Sequence, residues 1–158
     1  MDVKPPSTMP NPANRDAGQI IIPPSYNALV TRLLDACFKV HRTMGPGLLE
    51  GVYEACLAWE LRDAGLIIER QKTVDLTYQD LLIPAAFRVD LVIGDQDGNR
   101  IIAELKSHAN LPSVFHAQLI SYLRFMNLPV GVLVNFHPLL LKDGISRVLN
   151  TGWKPVIG

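Results

Sequence analysis

Residues 100–107 read Arg-Ile-Ile-Ala-Glu-Leu-Lys-Ser, the stretch around which the rest of the chain can be organised. The stretch opens as an apolar, β-branched run, the pattern of a buried strand. Two charged residues, Glu104 and Lys106, then interrupt it. Side chains along a strand alternate between faces, so these two project from the same side. A carboxylate and an ammonium near the end of a core strand are costly unless something uses them. Upstream, Phe87–Ile93 is a second apolar strand carrying Asp90 between Val89 and Leu91. Between the two lies Gly94-Asp95-Gln96-Asp97-Gly98-Asn99, a stretch dense in turn formers. A hairpin is expected here, gathering Asp90, Glu104 and Lys106.

Such a trio has a chemical use. Two carboxylates close together repel, and a hard divalent cation relieves the repulsion. Magnesium favours few protein carboxylates, several waters and a phosphate. A nearby lysine stabilises negative charge developing on water or phosphate. The alternative is a surface hairpin in which the acid and the lysine pair with each other, an arrangement worth little.

Strand parity decides whether the site can form. A two-residue Asp97-Gly98 turn would set Asp90 opposite Leu105 and turn it away from Glu104. A one-residue slip reverses every side chain. A three-residue Gln96-Asp97-Gly98 loop, with Gly98 at positive φ, sets Asp90 opposite Glu104. An odd-length loop or a bulge is therefore the expectation.

The chain has 158 residues, the length of one domain with a proper core. Its formal net charge is zero, so it lacks the basic excess of a general nucleic-acid footprint. Any nucleic-acid contact must come from a local patch, a homodimer or a partner protein. Cys37 and Cys56, the only cysteines, fall in helical apolar patterns and read as buried free thiols. No apolar run reaches the ~18 residues of a membrane span and no signal-peptide pattern is present, so no membrane contact and a cytoplasmic location are expected.

Residues 1–22 read as a disordered Pro-rich tail and residues 23–158 as one domain. Ser25 is placed to cap a first helix, Tyr26–Met44, whose apolar stripe closes on His41, read as a hydrogen-bonded core histidine. Gly45-Pro46-Gly47 breaks it. A second helix, about Leu48 to Ala64, carries Glu50, Tyr53, Glu54 and Leu57 on one face. Glu50 sits in the first turn, where the helix dipole alone favours an anion. The functional reading points Glu50 and Tyr53 at the metal site, with Glu54 as the fallback. Ile67–Tyr78 is a strand, and Pro84 marks an edge or a strand start. After the hairpin, Ser113 is placed to cap a third helix running to about Met126, with Gln118 and Tyr122 at i and i+4. Val130–Phe136, apolar throughout, reads as a central strand. Leu139–Leu141 and Ile145–Leu149 read as a terminal hairpin about Asp143-Gly144.

The order helix–strand–hairpin with Asp…Glu-x-Lys–helix–strand resembles the PD-(D/E)xK nuclease superfamily, with Val89-Asp90…Glu104-Leu105-Lys106 as the motif. Within it the chain is similar to the GxxExxY family, whose naming motif stands as Gly47-Leu48-Leu49-Glu50-Gly51-Val52-Tyr53. Phe87-Arg88-Val89-Asp90-Leu91, Ala117-Gln118-Leu119-Ile120-Ser121-Tyr122-Leu123, Leu133-Val134-Asn135-Phe136 and Leu141-Lys142-Asp143-Gly144-Ile145 are also alike. One departure is Val89, where the superfamily name has proline.

The resemblance implies an α/β, restriction-endonuclease-like core with a mixed central β-sheet flanked by α-helices. It implies metal-dependent phosphodiester hydrolysis with Mg²⁺ or Mn²⁺ on nucleic acid, and leaves DNA and RNA open. Asp90, Glu104 and the Leu105 carbonyl would be metal ligands, and Glu50 would reach the metal directly or through water. Lys106 would steady the attacking water and Gln118 would orient water or substrate. Tyr53 and Tyr122 are secondary candidates. Fold and function separate, so the alternative is a non-catalytic nucleic-acid-binding or regulatory module that retains the nuclease fold.

Overall fold

The computed structural model describes residues 20–156. Two helices lead, α1 (Pro24–Met44) and α2 (Glu50–Asp63), followed by the strands β1 (Ile67–Tyr78), β2 (Leu81–Gly94) and β3 (Arg100–Lys106). The chain then forms α3 (Val114–Phe125), β4 (Val130–Asn135), a 3₁₀ turn (Leu141–Gly144) and β5 (Ile145–Leu149). The five strands make one mixed sheet in the order β1-β2-β3-β4-β5, in which only the β3–β4 pair is parallel. That pair is joined through α3, as a parallel connection requires.

Alternation along the strands builds a core on each face. Leu91, Ile93, Ile101, Ala103, Leu105, Val132 and Val134 pack against α1 and α2, through Leu33, Cys37, Leu57 and Leu61. Val92, Ile102, Leu133 and Val148 face α3, through Leu119 and Leu123. Gly131 lies beneath α3. A Cβ there would come within 3.0 Å of Leu119, so only glycine lets the helix settle this close. Every residue of β4 is buried, in line with its apolar sequence and its place between β3 and β5.

Several local expectations are corrected. The first helix begins at Pro24 with Pro23 at its cap position, so Ser25 is already inside it. Proline is preorganised for the first helical position and lacks the N–H a cap would satisfy. Ser113 stands at the cap position of α3 but has helical dihedrals and makes no side-chain cap bond. The expected terminal hairpin does not form: β5 pairs antiparallel with β4, and Leu141–Gly144 is a 3₁₀ turn. Gly144 explains the tightness of that return, since a Cβ there would stand 2.1 Å from the Asn135 carbonyl oxygen.

The core histidine is where its sequence pattern puts it. His41 is buried, and its Nε2 lies 2.9 Å from the Pro138 carbonyl oxygen. Both cysteines are free thiols, Cys37 buried as expected and Cys56 only half-buried. The part of the Pro-rich tail at residues 1–19 lies outside the described residues, and Ile21 beside it is exposed. Among the described residues, no helix is long and apolar enough to cross a membrane.

Candidate active site

The β2–β3 hairpin has the odd loop that parity demanded. Gly94 pairs with Arg100 and Leu91 with Ala103. The Asp95 N–H donates to the Asn99 carbonyl at 3.1 Å, leaving Gln96, Asp97 and Gly98 as the loop. Gly98 has φ +85°, a value that glycine adopts without penalty. The Asp95 carboxylate accepts from the backbone N–H groups of Asp97 and Asn99 and from the Asn99 amide, which ties the loop together. These bonds hold the Asp95 carboxyl below its ordinary range, against the opposing effect of burial.

Carrying the register one pair further sets Asp90 opposite Glu104. At this point the main-chain ladder gives way to side chains. The Asp90 N–H donates to Glu104 Oε1 at 3.1 Å, and the Leu105 N–H donates to Asp90 Oδ2 at 2.9 Å. Beyond this fork β3 continues with β4 and β2 continues with β1, so the two carboxylates sit where the strands part. The Phe136 N–H donates to the Lys106 carbonyl on the β4 side. Alternation therefore turns the Leu105 carbonyl toward the fork, the side its own N–H already faces.

Glu104 is 4% exposed. Burial and then the Asp90 charge push its carboxyl up to about 8, while the Asp90 N–H and Lys106 pull it down. Lys106 does not neutralise it by contact. Its ammonium lies over the Phe115 ring, 4.5 Å from the centroid, and it makes no ion pair among the described residues. The acid–lysine pairing of an inert surface hairpin is thus not what this strand end adopts.

The candidates on the helices divide. Glu50 is half-buried, and its carboxyl is raised by burial, with Lys106 and His108 opposing and Asp90 and Glu54 adding to the rise. It therefore stands in the electrostatic neighbourhood of the fork. Tyr122 on α3 also feels Glu104 and Asp90, after burial, and its ring stacks on Phe87 at 4.3 Å. Gln118 is on the exposed side of α3, and its amide makes no hydrogen bond among the described residues.

Tyr53 is placed elsewhere. It is fully buried, stacks on Phe136 at 4.4 Å, donates to the Gly45 carbonyl at 2.5 Å and accepts from the Leu48 N–H at 3.1 Å. Its phenol closes the Gly45-Pro46-Gly47 bend and so fixes where α2, with Glu50, begins. Glu54 is buried and ion-paired with Arg70 at 3.0 Å, so its carboxylate is already engaged.

Sequence reasoning passed over two residues near the fork. Gln71 on β1 reaches both Glu54 and Asp90. Asn135 is buried at the end of β4, pairs in register with Lys106 and exchanges two hydrogen bonds with the His108 backbone. A polar residue ending an otherwise apolar strand is the signal that could have singled out Asn135.

Among the described residues, no three His, Cys, Asp or Glu side chains converge closely enough to hold one cation. The donors at the fork are thus two carboxylates and a carbonyl. This is a set a hard cation accepts when waters complete its shell.

Residues 27–148 match the family model of the PD-(D/E)XK nuclease superfamily. The chain belongs to that superfamily, and its five-stranded mixed sheet flanked by three helices is the fold expected of it. Members generally use divalent metals and act on nucleic acid. Among solved structures, one described as "Crystal structure of SSO0001" is similar, with a TM-score of 0.47 and 18% identity over 79% of this chain and 60% of that one. This chain therefore spans less than two thirds of the length of that one. No curated protein matches the sequence.

Proposed function

We propose that this chain is a divalent-metal-dependent phosphodiesterase acting on nucleic acid, of the GxxExxY branch of its superfamily. The observation that carries the reading is the opposition of Asp90 and Glu104 at a strand fork, without an ion-pair partner for either among the described residues. Two facing carboxylates destabilise a sheet when nothing compensates them. Burial and mutual repulsion hold Glu104 partly protonated near neutral pH, the condition a cation would relieve.

Asp90, Glu104 and the Leu105 carbonyl would hold the ion, and Glu50 would reach it through water. A bound magnesium or manganese ion supplies Lewis-acid activation of a water and neutralises phosphate charge. Lys106, on the same face as Glu104, stabilises negative charge developing at the reacting phosphate. Its place over Phe115 keeps the ammonium beside the carboxylates without joining it to them. Gln118 and Tyr122 present polar groups to water or substrate from α3. A cytoplasmic setting, and a second copy or partner to supply the cationic surface that a neutral chain lacks, belong to the same reading.

The test incubates the chain with labelled DNA and RNA, single- and double-stranded, in Mg²⁺, Mn²⁺ or EDTA. Cleavage that needs the metal and disappears in Asp90→Ala is the expected result. Binding of nucleic acid without cleavage in any metal would replace this reading with the non-catalytic module.

A further inference from the structure

We propose that Arg70, Glu54 and Gln71 form a relay that positions the Asp90 carboxylate; its service to a metal rests on the function proposed above. Gln71 lies on β1 opposite Asp90, between the pairs Arg70–Leu91 and Lys72–Val89, yet the ladder omits it. Its φ is +51°. A non-glycine residue is uncommon in this left-handed region, and the strain it stores accumulates at functional sites.

The strain has a visible consequence. Successive residues of a regular strand point to opposite faces. Arg70 and Gln71 nevertheless both reach Glu54. Arg70 Nε donates to Glu54 Oε1 at 3.0 Å, and Gln71 Nε2 donates to Glu54 Oε2 at 2.6 Å. Gln71 Nε2 also donates to Asp90 Oδ1 at 3.3 Å.

Glu54 sets the direction of the relay. It is buried, and each of its oxygens is occupied by one donor. An ionised carboxylate only accepts, so it requires the amino end of the Gln71 amide, whose second hydrogen then points to Asp90. Asp90 is thereby held by two donors, Gln71 on Oδ1 and the Leu105 N–H on Oδ2. Its remaining lone pairs are left for a ligand at the fork. Glu54 is a positioning residue in this arrangement, and its ion pair with Arg70 holds it in place.

Gln71→Gly is the informative variant in the full chain. Glycine adopts positive φ freely, so the backbone is preserved and only the amide is removed. Two measurements are made without substrate: Mn²⁺ affinity by calorimetry, and denaturation midpoints in EDTA for a double-mutant cycle of Gln71→Gly with Asp90→Ala, which removes the accepting carboxylate. The expected results are a roughly 10–100-fold loss of Mn²⁺ affinity, the scale for removing a group that orients a metal ligand, and midpoint shifts that fail to add. In turnover, kcat falls while KM holds. Additive midpoints would overturn the relay whatever the metal does. Non-additive midpoints with wild-type Mn²⁺ affinity would also overturn it, because the contact would then position nothing. A wild-type chain that binds no Mn²⁺ but shows non-additive midpoints would sink the nuclease reading and leave the relay standing.

Discussion

Replacing Glu104 with Gln is expected to stabilise the metal-free protein at alkaline pH and to remove most of its pH dependence between about 4.5 and 8. The Glu104 carboxyl, ordinarily near 4.5, is pushed up to about 8 by burial and by Asp90. The folded state therefore binds this proton more tightly than the unfolded chain does. Stability from the group is fully present below the unfolded value and is lost as pH rises through the folded one. At about 1.4 kcal/mol for each tenfold change, the full span corresponds to about 5 kcal/mol. For a chain of this size each kcal/mol moves Tm by roughly 2–4 °C. Glutamine keeps the shape and still accepts from the Asp90 N–H, but it has no charge to bury. Thermal unfolding in EDTA from pH 5 to pH 9 should show the wild type losing roughly 10 °C or more relative to Glu104→Gln. Adding Mg²⁺ at pH 8 should return much of the loss to the wild type and little to the variant. Parallel Tm–pH curves for the two proteins would refute the argument, because Glu104 would then ionise in the fold as freely as in the unfolded chain.

Asp90→Ala should abolish hydrolysis while the protein keeps its circular dichroism spectrum, and full activity in that variant would remove Asp90 from the site. Lys106→Met should lower turnover by roughly a hundredfold, the scale for losing one charge-stabilising group, while calorimetry shows Mn²⁺ affinity unchanged or higher. If that variant instead loses metal and keeps its rate in proportion to occupancy, the lysine is structural. Glu50→Gln should weaken Mn²⁺ binding or rate with little change in Tm; wild-type values for both would reduce Glu50 to a helix-dipole residue. Tyr53→Phe should cost about 1 kcal/mol in urea unfolding, because it leaves the half-buried Gly45 carbonyl and Leu48 N–H without their partner. Its Mn²⁺ affinity should be that of the wild type.

The parts of this fold that were readable from sequence are those governed by short-range periodicity. Alternation placed the central strands, and strand parity called for an odd loop or a bulge, of which the Asp95–Asn99 pair and Gly98 provide the loop. The acids opposed across β2 and β3 follow from that count alone. What failed depended on competition between nearby options. Ser25 is a reasonable cap by residue type, but the Pro23-Pro24 pair starts the helix two residues earlier. Leu139–Leu141 had strand-like composition, yet β4 offered Ile145–Leu149 a longer partner, and Gly144 is small enough to begin the pairing directly against Asn135. The superfamily was legible because its motif lies on adjacent strands of one hairpin, where sequence separation and spatial separation nearly coincide.

The support of the site is a different matter. Gln71 lies 19 residues from Asp90 and 17 from Glu54. In sequence it is an ordinary polar residue in a strand that alternates Lys, Thr, Val and Asp. No period marks it, because its role comes from leaving the strand conformation. Once Gln71 takes a left-handed φ, its amide reaches the Glu54 carboxylate that its neighbour Arg70 also holds, as well as Asp90. A pattern-based reading assumes regular geometry, and so it cannot find residues that act by departing from it. The same holds for Lys106: its register with Glu104 was countable, but its rest over Phe115 depends on where α3 lands. The acids and lysine of a site like this can thus be named from one hairpin. The forces that orient them come from β1, α2 and α3, which only the folded chain brings to the fork.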